Sequence, residues 1–216
     1  MRVLVIPDLH APYHNPLAEC FIKKLIKQHR PNKIVNLGDE ADCHSWSRWA
    51  KSPAAMGASE ELKQAAKTLH RIFDDYKVEF CNSNHIERAS KRQQEAGVPD
   101  EFLVKWSEVI GAPANWRWAD SWEFDGVRYQ HGDGYSGINA ALHAAQDNGQ
   151  STCIGHLHGN AGIVWRGSIT RQLFGMHAGC LVDPRAPVFD YGKHSRTKPM
   201  LGAGVVVDGV PQWYPL

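Results

Sequence analysis

RVLVI at residues 2–6 and KIVNL at 33–37 are too short for helices and nearly continuous in apolar residues. The stretch between them repeats apolar residues at helical intervals. Residues 16–28 set Leu17, Cys20, Phe21, Lys24, Leu25 and Gln28 along one mostly apolar stripe that ends before Pro31. The alternation continues. Residues 59–76 carry Leu62, Ala65, Ala66, Leu69 and Phe73 at helical spacing behind Ser59 as N-cap, and VEFC at 78–81 reads as a third strand. Strand and helix in turn predict an α/β domain rather than a helical bundle.

Farther along, residues 85–96 and 100–110 read as helices. SWEFDGVRYQHG alternates around Asp125-Gly126 as a hairpin, and residues 136–148 read as a helix closed by Gly149. Residues 151–154, 160–165 and 203–207 are further strands, and Asp208-Gly209 repeats the hairpin signal. No repeat, low-complexity tract or linker interrupts the chain, and residues 51–58 are the expected flexible insert. The 216 residues suit one domain over 1–216.

Twenty-four Lys and Arg against 23 Asp and Glu leave a formal charge of +1, so a nucleic-acid partner would need a local basic patch. The opening MRVLVIPDLH has an apolar run only from Val3 to Ile6, and no stretch approaches the ~20 residues of a membrane span. A cytoplasmic protein is expected, in the host cytoplasm if phage-encoded. Five cysteines lie far apart with no C-x-x-C spacing, which argues against both a disulfide framework and a thiolate zinc site. Histidine is the anomaly, with twelve in the chain.

Many of those histidines follow strands. After 2–6 come Asp8 and His10; after 33–37, Asp39 and Asp42; after 78–81, Asn84 and His85; after 127–130, His131; after 151–154, His156 and His158. Each pair alone is an ordinary turn or loop. Jointly they place oxygen and imidazole donors at five strand ends, which converge on one crevice in an open α/β sheet. Mixed imidazole and carboxylate donors suit manganese, iron(II), nickel or zinc better than magnesium or calcium. Seven ligands exceed one tetrahedral ion and suit two ions about 3.5–4 Å apart with a shared carboxylate.

Asp8-x-His10, Gly38-Asp39-x-x-Asp42, Asn84-His85, His131 and Gly155-His156-x-His158, in that order, resemble the calcineurin-like metallophosphoesterase superfamily, and most of all its compact bacteriophage or bacterial members. The resemblance spans residues 8–158. It implies an αββα sandwich of two mixed β-sheets flanked by helices, with the metals at the strand ends. By the same resemblance Asp8, His10 and His158 hold one ion, Asn84, His131 and His156 the other, and Asp39 bridges. His85 is then the general acid, and Asp42 hydrogen-bonds it and raises its pKa. The implied activity is metal-dependent hydrolysis of a phosphodiester or small phosphorylated substrate such as a nucleotide, by a metal-bridging hydroxide. Manganese is the first expectation, with nickel, iron or zinc as alternatives. A nuclease or polynucleotide end-processing enzyme is the runner-up, and a non-catalytic scaffold the third reading.

The chain departs from the family pattern at three places. Ser83 stands where glycine precedes Asn-His, Ile86 and Glu87 replace an immediate acid, and Cys43 occupies the position of a phosphate-binding arginine, which weakens a protein phosphatase reading. Leu157 replaces a common threonine without consequence. Arg48 and Arg88 are expected as surface or helix arginines, His14 and His44 as solvated loop histidines, and Gly132-Asp133-Gly134 as a turn. Trp46 and Trp49 either wall a base-stacking site or pack a short helix. Trp106, Trp116, Trp118 and Trp122 either pack the core and hairpin or form a lid.

Overall fold

The computed structural model describes residues 1–192 and 195–216. Its strands are β1 (Arg2–Ile6), β2 (Lys33–Asn36), β3 (Val78–Cys81), β4 (Trp116–Ala119), β5 (Ser121–Phe124), β6 (Val127–Gln130), β7 (Ser151–Ile154), β8 (Ala161–Gly167), β9 (Gln172–Ala178), β10 (Gly202–Val207) and β11 (Val210–Pro215). The helices are α1 (Ala18–His29), α2 (Ala58–Phe73), α3 (Arg88–Glu95), α4 (Trp106–Val109) and α5 (Ala140–Asp147).

Two mixed sheets form. One runs β11-β10-β1-β2-β3-β4, with β1 to β4 parallel; the other runs β5-β6-β7-β9-β8, with β6, β7 and β9 parallel. β1 shows why the sandwich closes. Val3 and Val5 face the second sheet with Val35, Tyr129, Phe174 and Met176, while Leu4 and Ile6 face Ile22, Leu25, Leu69 and Phe73 of α1 and α2. A strand covered on both faces needs apolar residues at every position, and each such side chain contributes about 1.5–3 kcal/mol by its burial. α5 covers the other sheet through Ala140, Ala141 and Ala144. It lies so close to β9 that a Cβ on Gly175 would stand 2.2 Å from the Ala141 backbone. This is the αββα sandwich that the motif resemblance implies.

Several expected boundaries move. α1 begins at Ala18, two residues inside the predicted start. α2 starts at Ala58 behind Gly57, with no side-chain cap, so Ser59 is not the N-cap. Glu61 in its first turn instead accepts the backbone N–H of His44 at 2.6 Å and of Ser45 at 3.1 Å. The helix expected over 85–96 begins at Arg88, because residues 84–87 form the turn that aims His85. Residues 100–110 form a 3₁₀ turn at Asp100–Phe102 and the short α4, since Leu103 and Lys105 are extended. α5 starts at Ala140 because Gly137, at φ +82°, breaks the predicted first turn. Two strands were not anticipated: β4, read only as aromatic packing, and β9, whose sequence QLFGMHA has no β-branched residue and a glycine, Gly175, at its centre. Among the described residues no helix is long and apolar enough to cross a membrane.

Candidate metal centre

The C-terminal ends of β1, β2 and β3 in one sheet and of β6 and β7 in the other meet at one edge of the sandwich. Backbone pairing outlasts the strands there: His10 N–H donates to the Asp39 carbonyl at 2.8 Å and Ala11 N–H to that of Glu40 at 2.9 Å. Four non-glycine residues in this region, His10 (φ 52°), Asp39 (49°), Cys43 (51°) and His156 (65°), hold left-handed backbone. Each costs on the order of 1–3 kcal/mol and persists where surrounding packing enforces it, as at binding sites. Two glycines are sterically required. A Cβ on Gly155 would lie 2.1 Å from Asp8 Oδ1, and one on Gly38, at φ +99°, would lie 2.7 Å from Ser83 Cβ and 2.9 Å from His131 Nδ1.

All seven expected ligands converge. Asp8, His10 and His158 form one group, and Asp39, His131 and His156 a second. His10 Nε2 lies 3.0 Å from His158 Nε2, which lies 3.1 Å from Asp8 Oδ2. Asn84 Oδ1 joins the second group 3.0 Å from His131 Nε2. Asp39 stands between them, its Oδ2 3.6 Å from His10 Nε2 and 3.3 Å from His131 Nε2.

Tautomers show what the arrangement can hold. His131 Nδ1 faces the Leu37 carbonyl at 2.9 Å and His10 Nδ1 the Asp42 carboxylate at 2.6 Å, so each Nδ1 carries the proton that donates. Both Nε2 atoms are left to point inward. Around His131 Nε2 stand Asn84 Oδ1, Asp39 Oδ2, His156 Nδ1 at 3.2 Å and Asp133 Oδ1 at 3.2 Å, a set of acceptors that only a cation or a proton reconciles. Asp8 Oδ2 is buried and makes no well-aligned hydrogen bond, with the 3.1 Å contact from His158 Nε2 beside it. Imidazole, carboxylate and amide oxygen together are donors for a borderline divalent ion, so the residues fit the metals that the motifs imply.

Electrostatics agree. Burial opposes the charge on Asp39, yet His131, His85 and His10 hold its carboxyl well below the usual range. Asp8 and Asp42 are likewise lowered against burial, the first mainly by His158 and His131, the second by His10 and His85. Burial also opposes charge on His131, but Asp39, Asp8 and Asp133 push it up to about 10. Burial lowers His10 and His156, leaving them as neutral donors. The metal-free site therefore holds anionic carboxylates around a proton on His131, in the place a cation would take.

His85 lies at the cleft beside both groups: its Nε2 is 3.7 Å from Asp39 Oδ2, its ring meets that of His10 edge-on at 4.5 Å, and with His10 and Asp42 it forms a third cluster close enough to hold a cation. Its Nδ1 donates to the backbone carbonyl of Asp42 at 2.7 Å, while the Asp42 carboxylate is 3.4 Å away and makes its short contact with His10 instead. Asp42 thus orients His85 through its backbone more closely than through its side chain. Asp39 and Asp42 outweigh burial and raise the His85 pKa, with Arg88 acting against them.

Arg88 opens α3 as a helix arginine, but half-buried and turned toward the site. It donates to the Asp42 carbonyl at 2.8 Å, and its Nη2 lies 2.6 Å from His85 Nε2. The departures around Asn84-His85 also resolve: Ser83 Oγ accepts the Asp39 N–H at 2.9 Å, Ile86 packs on the helix-side core, and Glu87 pairs with Lys91 at 2.5 Å outside the metal groups.

His44 and His14 are not solvated loop residues. His44 is buried, with its Nε2 accepting the Ser52 N–H at 3.2 Å, and His14 is half-buried with no partner for Nδ1. Asp133, read as part of a turn, reaches His131, and its Oδ1 lies 3.6 Å from His156 Nδ1; the flanking Gly132 and Gly134, at φ +107° and +86°, let the backbone fold it inward. Glu40 was also missed. It is fully buried beside Asp39, accepts the indole N–H groups of Trp106 and Trp118 on one oxygen, and burial pushes it up to about 7. Trp116 and Trp122 donate to the Phe73 and Phe80 carbonyls, so the four tryptophans pack and anchor rather than form a lid.

The groups open into a cleft of about 1210 Å³ with Asp39, His85 and Arg88 at its floor and Trp49, Ile138 and Leu157 among its walls. Trp46 packs against the core, whereas Trp49 is 82% exposed. No protein-family model and no curated protein matches the chain. Among solved structures it is similar to Vacuolar Protein Sorting 29 from Cryptosporidium parvum, at 11% identity and a TM-score of 0.44, covering 99% of this chain and 95% of that one. It is also similar to the nuclease MPE from Pseudomonas putida, at 14% identity and a TM-score of 0.39, over 99% of this chain and 86% of that one. Overlaps this loose carry no functional inference. The side chains at the cleft do.

Proposed function

We propose that the chain is a dinuclear, divalent-metal-dependent phosphoesterase. The observation that carries this reading is Asp39 Oδ2, placed between two separate groups of inward-facing imidazole and carboxylate donors with a protonatable histidine alongside. Asp8, His10 and His158 would hold one ion, Asn84, His131 and His156 the other, and Asp39 would bridge, with manganese the expected metal. Such ions supply Lewis acidity toward a phosphoryl group and lower the pKa of a water nucleophile.

The chain's own groups do the rest. Asn84 offers a neutral carbonyl oxygen, which leaves the centre less repulsive to phosphate than an aspartate would. His85, with Nδ1 tied to the Asp42 carbonyl, has only Nε2 to present to a leaving oxygen, and Asp39 and Asp42 raise its pKa, which favours the protonated form that an acid needs. Arg88 occupies that nitrogen here. While the guanidinium donates to it, Nε2 carries no proton; a phosphate entering the cleft would draw the guanidinium to its own oxygens, leaving Nε2 to take a proton from solvent and pass it to the leaving oxygen.

The test is to strip metal, restore manganese, nickel, zinc or magnesium singly, and compare an activated phosphomonoester with an activated diester. Manganese-dependent turnover of either is expected, and its ratio assigns monoester or diester preference. No metal-dependent turnover of either would overturn the proposal.

A further inference from the structure

α3 is a helix with no buried residue. Its positions at i, i+3, i+4 and i+7, normally the stripe that packs, are Arg88, Lys91, Arg92 and Glu95. All four line a recess of about 350 Å³ together with Trp46, Arg48, Trp49 and Asn84. That recess shares Ser47, Trp49 and Arg88 with the main cleft, so the two are continuous, and Asn84 belongs to the metal centre.

The charge here is local. Arg48, Arg88, Lys91 and Arg92 face two carboxylates: Glu95 pairs with Arg48 and with Arg92 at 3.2 Å, and Glu87 pairs with Lys91. A chain with a formal charge of only +1 thus concentrates cations beside its metal groups. The stripe is also fixed in place, since Arg92 donates to the carbonyls of Trp46 at 3.3 Å and Ser47 at 3.2 Å. Trp49 projects into solvent where recess and cleft join, with no buried role to explain its indole.

We infer that α3 and Trp49 form a track for single-stranded nucleic acid that leads into the metal centre, the cations taking successive phosphates and Trp49 stacking a base. A single strand is favoured because its bases are free to stack on an exposed indole, whereas those of a duplex are not. An acidic protein segment would use the cations but leave Trp49 without purpose. Which phosphate is cleaved rests on the phosphoesterase reading; binding to the track does not.

The experiment measures binding of a fluorescein-labelled oligo-deoxythymidine to the full chain in EDTA by anisotropy, over a range of salt. Each neutralised phosphate contributes a log–log slope of about −0.7, so Arg48, Lys91 and Arg92 together predict a slope near −2. Lys91→Glu with Arg92→Glu should weaken binding at least tenfold and flatten the slope. Trp49→Ala should weaken it by about tenfold at an unchanged slope. The milder pair Lys91→Ala with Arg92→Ala, checked by thermal melt, replaces the charge reversal if that variant fails to fold. Salt-insensitive binding, or variants that bind as wild type, would overturn the track. Turnover of a small activated diester by the wild type, measured with manganese, separates the two failures: turnover without oligonucleotide binding removes only the track, and binding without turnover removes only the hydrolase.

Discussion

Asp42 Oδ1 lies 2.6 Å from His10 Nδ1, with both residues almost wholly shielded from solvent. That contact fixes the tautomer of a proposed ligand, because it obliges His10 to keep its proton on Nδ1 and aim Nε2 at Asp8 and His158. Carboxylates that orient a ligating histidine typically account for 10- to 100-fold in metal affinity. Asp42→Asn preserves shape but weakens the orienting charge. It should reduce affinity for the first ion by about that factor while leaving the second less affected, as isothermal titration with manganese would show in two resolved binding events. Equal weakening of both would place Asp42 elsewhere in the network.

Gly155 tests the geometry from the opposite side. Its absent side chain is the space that Asp8 Oδ1 occupies, since a Cβ there would come within 2.1 Å. Gly155→Ala must displace either the Asp8 carboxylate or the turn after β7. A loss of about 1–3 kcal/mol in stability is expected from the overpacking, together with loss of metal at the Asp8 group. Metal analysis of the purified variant checks the second outcome, and one ion per chain in place of two is the expected result.

The strand ends were legible because the candidate donors mark them by residue type: Asp8, His10, Asp39 and Asn84 follow apolar runs, His131 follows an alternating hairpin strand, and His156 and His158 follow the short run at 151–154. What escaped depends on distances that sequence spacing does not encode. Arg88 reads as one more cation in a charged helix until the turn at 84–87 delivers its guanidinium to His85. Asp133 reads as a turn residue until two left-handed glycines fold it back toward His131. β9 was hidden by Gly175, whose role appears only when α5 lies against it. His44 was assigned to solvent because nothing local reveals that Glu61, seventeen residues on, holds its backbone N–H at 2.6 Å.

His131 makes metal binding depend on pH. Burial works against its charge, but Asp39, Asp8 and Asp133 prevail, and its pKa is pushed up to about 10 in the metal-free chain. An ion taken up at Nε2 has to displace that proton. Below about pH 10 the site therefore competes with hydrogen ion, and affinity should rise with pH by up to about tenfold per unit. Titration of manganese into metal-free protein at pH 6 and pH 8, in buffers of different ionisation enthalpy, would reveal both the tighter binding and the released proton. Affinity that is flat over this interval would mean that His131 is already neutral.

The acid role of His85 has its own signature, distinct from metal loss. Its Nδ1 is committed to the Asp42 carbonyl and it is not one of the seven proposed ligands, so removing the imidazole should leave metal content intact. What it removes is a proton for the leaving oxygen. A diester with a nitrophenol leaving group departs as a stable anion and needs that proton little; an alkoxide or nucleoside leaving group needs it fully. His85→Ala should therefore lower turnover of the poor leaving group by about 10²- to 10⁴-fold and of the activated one far less. The pH profile follows from the same group. Activity toward the poor leaving group falls as pH rises through the His85 pKa, and because Asp39 and Asp42 raise that value against burial, the fall begins above the ordinary histidine range near 6.5. In His85→Ala that limb should vanish while the metal-dependent limb at low pH stays. Equal losses for both leaving groups would assign His85 to holding the site together rather than to proton transfer.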